Sequence, residues 1–160
     1  MYFSTTLLLS LAATALALPR PQDAAAPAAA GSKKNTYLAT CTSRGLLDSD
    51  TASAVIYYNG PATSRTSPSD IGVVAEPATK WEGVTRRVTL TDGRFTSSIA
   101  AGADDLPKSQ IAGSAKLGSE DFICFVDGSS TFKFREGLLG LRETTCKADY
   151  WCASTSVGGS

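Results

Sequence analysis

Apolar residues recur every second position along most of the chain, the period of half-buried strands rather than of helices. In "YLATCT" (37–42), Tyr37, Ala39 and Cys41 share one face. "RRVTLTDGRFTSSI" (86–99) alternates through Val88 and Leu90, meets Asp92-Gly93, and resumes at Phe95. Asp-Gly supplies the positive φ angles of a tight hairpin turn, so a hairpin is predicted there. "EDFICFVDGSSTFKF" (120–134) repeats the device with a longer turn at Asp127-Gly128-Ser129-Ser130. Its Phe122, Cys124 and Val126 oppose Ile123 and Phe125, which predicts a central strand covered on both faces.

The stretch "LLDSDTASAVIYYNGP" (46–61) reads two ways. Asp50 can cap a helix that Asn59-Gly60-Pro61 ends, whereas the dense Val55-Ile56-Tyr57-Tyr58 run favours a strand. Two boundary signals around a helix-length interval tip the reading toward a short helix over 50–59. "GLLGLRE" (137–143) reads as a turn containing one helical turn, and 59–70 and 100–110 read as loops. The expected fold class is mainly β, or α+β: a small antiparallel β-sandwich or barrel with at most one or two short helices and two disulfides.

The amino terminus adds a compartment. Leu7 to Leu18 is apolar apart from Ser10 and Thr14. That is shorter than the roughly 20 residues of a membrane span, but it suits the centre of a secretory signal peptide. Ala15-Leu16-Ala17 fits the small-x-small cleavage pattern, which places a signal peptide at 1–17. Residues 18–34, LPRPQDAAAPAAAGSKK, carry no aromatic or β-branched side chain and read as a flexible leader, or as a propeptide removed at the dibasic Lys33-Lys34. A second dibasic pair, Arg86-Arg87, would need protection inside a strand. A single domain over 35–153 and a flexible tail at 154–160 complete the plan.

Four cysteines behind a signal peptide predict two disulfides: Cys41, Cys124, Cys146 and Cys152. Five residues separate Cys146 from Cys152, which excludes a thioredoxin-type pair, and Cys41 and Cys124 stand too far apart for a four-cysteine zinc site. An extended 146–152 would set its two cysteines roughly 20 Å apart, beyond the ~7 Å reach of a disulfide, and send them to different partners. A turn at Ala148-Asp149 would let them pair with each other. The intervening KADYW has no Gly or Pro, which favours the first arrangement and leaves the connectivity open.

Charge and composition narrow the function. The chain has 15 basic and 15 acidic residues; without Arg20, Lys33, Lys34 and Asp23, 12 remain against 14. No basic face for nucleic acid or for a membrane surface is expected. The absence of histidine removes Ser-His-Asp and Cys-His nucleophiles and His-containing zinc sites. No metal site, cofactor or catalytic residue is assigned. Paired carboxylates of the glycosidase kind survive as a class, with Glu76, Glu82, Asp104, Asp105, Glu120 and Asp121 as candidates. Trp81, Tyr150 and Trp151 are the candidate binding residues, because such rings combine large area with a polar handle. Strand alternation lets only one of Tyr150 and Trp151 face the core.

Signal peptide, Pro/Ala leader with a dibasic end, and a small four-cysteine β-rich body together resemble the small secreted proteins of filamentous fungi, including effector-like ones. The resemblance implies interaction with a host or cell surface and carries no residue roles. The expectation is an extracellular, non-enzymatic interaction protein binding a surface or protein partner. A carbohydrate-binding module built on exposed Trp and Tyr, and a small carboxylate-dependent hydrolase, are the alternatives.

Overall fold

The computed structural model describes residues 34–44, 49–63, 66–136 and 142–156. Nine strands lie among them: β1 (Asn35–Arg44), β2 (Ser49–Tyr58), β3 (Asp70–Ala75), β4 (Thr85–Leu90), β5 (Gly93–Ile99), β6 (Ile111–Leu117), β7 (Glu120–Val126), β8 (Thr131–Glu136) and β9 (Arg142–Ser154). A 3-10 turn at Ala103–Asp105 is the only helical element among the described residues. The strands form one antiparallel sheet in the order β3-β2-β1-β9-β7-β6-β5-β4, with β8 also on β9. The sheet curls into a nearly closed barrel, the mainly β, two-disulfide fold that the patterning predicts. At the seam no ladder joins β3 to β4. There the hydrogen in place of a side chain at Gly72 admits Val88 and Leu90, and Asp70 Oδ2 accepts from the Thr91 amide and hydroxyl at 2.6 and 2.7 Å.

Four local expectations are corrected. Residues 50–59 are not a helix: Ser49–Tyr58 pair with β1 along its whole length, from Arg44↔Ser49 to Asn35↔Tyr58. The β-branched and aromatic run Val55–Tyr58 outweighs the cap signals because both its faces are buried by neighbours. That double coverage falls on β1 and β2 rather than on β7, whose Ile123 remains 39% exposed on the outer face.

Asp127–Ser130 does not turn a hairpin. β7 and β8 both pair with β9, against Tyr150–Ser154 and Arg142–Lys147 respectively. The segment therefore bridges two collinear strands, held by Asp127 and Gly128 amides donating to the carbonyls of Asp149 and Ala148. In the β4–β5 hairpin the predicted turn exists, but Leu90 pairs with Gly93 and only Gly93 has positive φ, at 129°. A further hairpin, with Gly118 at φ 59° and Ser119 between Leu117 and Glu120, has the Gly-first chemistry of a II′ turn and went unpredicted. The 1–17 and 18–33 segments and residues 137–141 lie outside the described residues.

Two apolar clusters occupy opposite faces of the sheet. The barrel interior holds Leu38, Val55, Tyr57, Trp81, Phe95, Phe122 and Tyr150 together with Cys124 and Cys152. The outer cluster holds Tyr37, Ala39, Ile56 and Tyr58 together with Cys41 and Cys146, partly covered by Phe132 and Phe134 of β8. The bonds are Cys41–Cys146 and Cys124–Cys152, so the two cysteines of the extended β9 do go to separate partners. Each bond joins directly opposed residues of neighbouring strands.

In the chain-entropy account, closing separations of 105 and 28 residues contributes about 4.8 and about 3.6 kcal/mol, a large share of the stability of a domain this size. Non-reduced peptide mapping should recover only the 41–146 and 124–152 linkages. Replacing both cysteines of the first bond by Ala should reduce unfolding free energy by about 4–5 kcal/mol, and of the second by about 3–4 kcal/mol, in denaturant titration. Loss of neither would contradict the account.

Candidate functional site

The two ends of the barrel differ in how their carboxylates are paired. At one end Lys34 reaches across to Asp92 and Glu120, 3.2 Å from each, and lies 6.0 Å from the Tyr57 ring centre. Tyr57 donates to Asp92 at 2.6 Å, and Ser154 donates to Glu120. Burial works against the Lys34 charge, but the bonds to Glu120 and Asp92 outweigh it and push its pKa well up. Asp92 is pulled below the ordinary carboxylate value by Tyr57 and Lys34. Burial raises Glu120, and Ser154 and Lys34 overcome it to leave the group lowered. This end is plugged, with one cation shared between two carboxylates.

The other end opens into a cleft of about 450 Å³. Its geometry starts from an irregularity in β9. Leu38 pairs with Tyr150 but Ala39 pairs with Ala148, so Asp149 is an extra, bulged residue. The bulge turns the Asp149 carboxylate toward the cleft, where Oδ2 accepts from Thr40 Oγ1 at 2.8 Å and from Trp81 Nε1 at 3.2 Å.

Trp81 and Glu82 arrive on the β3–β4 connection. Ser53 Oγ of β2 ties that connection down, donating to the Thr79 carbonyl and accepting from its amide at 2.8 Å each. An isolated bridge between Glu82 and Ile99 fixes the far side, with the Gly83 amide on the Ile99 carbonyl at 2.9 Å. Glu82 then accepts a hydrogen bond from the Tyr150 phenol. Asp104, on the 3-10 turn, forms a solvated pair with Lys80 at 3.4 Å that is worth little energetically.

The electrostatics follow from this crowding. Burial pushes the Asp149 carboxyl above its ordinary value, the bonds from Thr40 and Trp81 offset part of the effect, and the Glu82 charge adds to it. Burial and the bond to Glu82, reinforced by the charges of Glu82, Asp104 and Asp149, keep Tyr150 protonated far above neutrality. Among the described residues, no lysine or arginine makes an ion pair with Glu82 or Asp149, and no group of three metal-type ligands occurs.

Of the residues singled out from sequence, Trp81, Tyr150, Glu82 and Asp104 meet here. Trp81 and Tyr150 are each 2% exposed, so neither offers an open platform; they form the floor and wall of the cleft. Trp151 is elsewhere, on the outer face, stacked on Phe125 at 5.4 Å and donating to Asn35 Oδ1 at 3.0 Å. Glu120 belongs to the plugged end. Asp121 forms an exposed pair with Lys116, and Glu76 and Asp105 are exposed outside the cleft.

Thr40 and Asp149 were not anticipated. The only signal for Asp149 is a lone acid inside the otherwise strand-like KADYW, and its inward aim depends on a bulge that alternation conceals. No protein-family model, curated protein or solved structure matches the chain.

The raised Asp149 pKa has a defined sign in stability. Between the ordinary aspartate value and the raised one, the folded state holds a proton that the unfolded chain has released. This group's contribution therefore falls as pH climbs through that window. Asp149→Asn keeps an acceptor for Thr40 and Trp81 but removes the titration. Denaturant unfolding across the carboxylate pH range should show the variant gaining on wild type as pH rises; parallel curves would contradict the assignment.

Proposed function

We propose that this is an extracellular interaction protein whose acidic cleft receives a cationic side chain of a protein partner. The supporting observation is the contrast between the ends: Lys34 pairs with both Asp92 and Glu120 at one, while at the other Glu82 and Asp149 make no ion pair among the described residues, Lys147 acting on Asp149 only through its charge at longer range. An ammonium or guanidinium entering the cleft would favour ionised Asp149 and offset the cost of its burial. Tyr150 and Trp81 hold both carboxylates in place before binding, which lowers the ordering cost of association.

The signal-peptide pattern and the two disulfides agree with an oxidising compartment. Among the described residues no helix is long and apolar enough to cross a membrane.

A second reading, a carboxylate-dependent hydrolase, is favoured by one feature. Asp149, raised by burial, and Glu82, bonded to a phenol, sit in the unlike environments that an acid and a base of such enzymes occupy.

Immobilised wild type and Glu82→Gln/Asp149→Asn separate the readings. Wild type is expected to retain a protein partner from extracellular fluid in a salt-sensitive manner, and the double variant to bind it at least about tenfold more weakly, roughly 1.4 kcal/mol. Equal retention by both would reject the cleft. Release of reducing sugar from a polysaccharide panel by wild type but not by Asp149→Asn would replace binding with hydrolysis.

A further inference from the structure

The balanced charge of the chain is not evenly spread, and the outer face of β4–β7 holds a local surplus of cations. Directly opposed residues of neighbouring strands share a face. Pairing therefore sets Arg87, Thr96, Lys116 and Asp121 in one cross-strand row and Thr85, Ser98, Ser114 and Ile123 in the next, with Thr89 opposite Arg94 on the other side. All of these lie exposed or half-buried outside the barrel, because the alternating Val88, Phe95, Ala115 and Phe122 turn inward. An open trough of about 430 Å³ follows the first two rows, lined by Thr96, Ser98, Ser114, Lys116, Asp121 and Ile123 among others.

Three cations meet one acid on these rows. Lys116 pairs with exposed Asp121 at 3.1 Å, a contact worth little in water. Among the described residues, the Arg87 and Arg94 guanidinium groups make no ion pair, and the hydroxyls of Thr85, Thr89, Thr96, Ser98 and Ser114 bond no protein group. The residues outside that set hold Asp23 and Asp48 against Arg20, Lys33 and Arg65, so they bring no excess of acid to cancel the surplus. We propose that this face is a docking surface for a polyuronate, an acidic polysaccharide with one carboxylate on each sugar.

The arrangement sets the ligand class. Arg87 and Lys116 flank the hydroxyl of Thr96, and their Cα atoms, two strands apart, stand roughly 10 Å from each other. A guanidinium holds a carboxylate through two parallel N–H bonds, and the intervening hydroxyls both donate to and accept from the hydroxyls of a sugar. Other polyanions match less well. Duplex DNA presents a charge about every 1.7 Å along its axis, far denser than three cations spread over three strands. A single strand stacks its bases on aromatic rings, and these rows contain none. An anionic bilayer is held by clusters of about four to eight basic residues. The trough shares no lining residue with the acidic cleft, so the inference does not rest on the cleft's ligand.

The test is an NMR titration of the isotope-labelled full chain with hexagalacturonate in calcium-free buffer, with cellohexaose, oligothymidylate and a hexaglutamate peptide for comparison. Hexagalacturonate should shift the amides of Arg87, Arg94, Thr96 and Lys116, and its affinity should fall as salt is added. Arg87→Gln and Arg94→Gln should each weaken binding about three- to fivefold, and together about tenfold or more, with the melting temperature held within a few degrees. Three results overturn the proposal: hexagalacturonate leaves these amides unmoved, the double variant binds as wild type does, or any of the three comparison ligands binds as tightly.

Discussion

At Asp149 the pairing of β9 with β1 slips by one residue, and the consequences run through both faces of the sheet. Cys146 and Cys152 are six positions apart, which on a regular strand would put them on one face. The slip instead sends Cys152 and Tyr150 into the barrel and leaves Cys146 and Ala148 outside. One bridge therefore sits in each apolar cluster, and each cluster gains a covalent tie through the same strand. The residue that makes the slip is left at the barrel mouth, half-buried and acidic. Staple placement and cleft chemistry share this single geometric cause.

Most buried polar groups of the described residues have partners, Ser97 Oγ being an exception. Lys34, Asp92, Glu120, Tyr57 and Ser154 answer one another at the plugged end. Asp127 accepts from Ser129 and Ser130 where β7 passes into β8, which burial alone would not permit at a lowered pKa. Against that background, the cleft carboxylates, hydrogen-bonded but without an ion pair among the described residues, stand out.

The strand content was legible because alternation is a local property. Tyr37-Ala39-Cys41 and Val88-Leu90 each share a face by period alone. The separate partners of Cys146 and Cys152 were legible too, since extension sets a reach that a disulfide cannot exceed. The 50–59 segment was misread because its cap residues are local, whereas the burial of Val55 and Tyr57 comes from barrel-interior residues such as Phe95 and Phe122, and that of Ile56 and Tyr58 in part from Phe132 of β8, all distant in sequence. Asp127-Gly128 has the composition of a hairpin turn, and nothing nearby says that both flanking strands share β9 as partner. Of the site, the aromatics and Glu82 were visible as residue types, but Asp149 depends on a register shift that no short window contains.

The position of β9 in the sheet has a consequence for assembly. It lies at the centre, flanked by β1 on one edge and by β7 and β8 on the other, yet it is the last in sequence of the nine strands among the described residues. Until it is delivered, β1–β2–β3 and β4–β7 are two separate ribbons with exposed edges, and both cross-links lack one sulfur. Vectorial emergence from a ribosome or translocation channel can pre-form hairpins but cannot close this architecture. Its final, long-range step waits for β9, and the chain carries open edges until then.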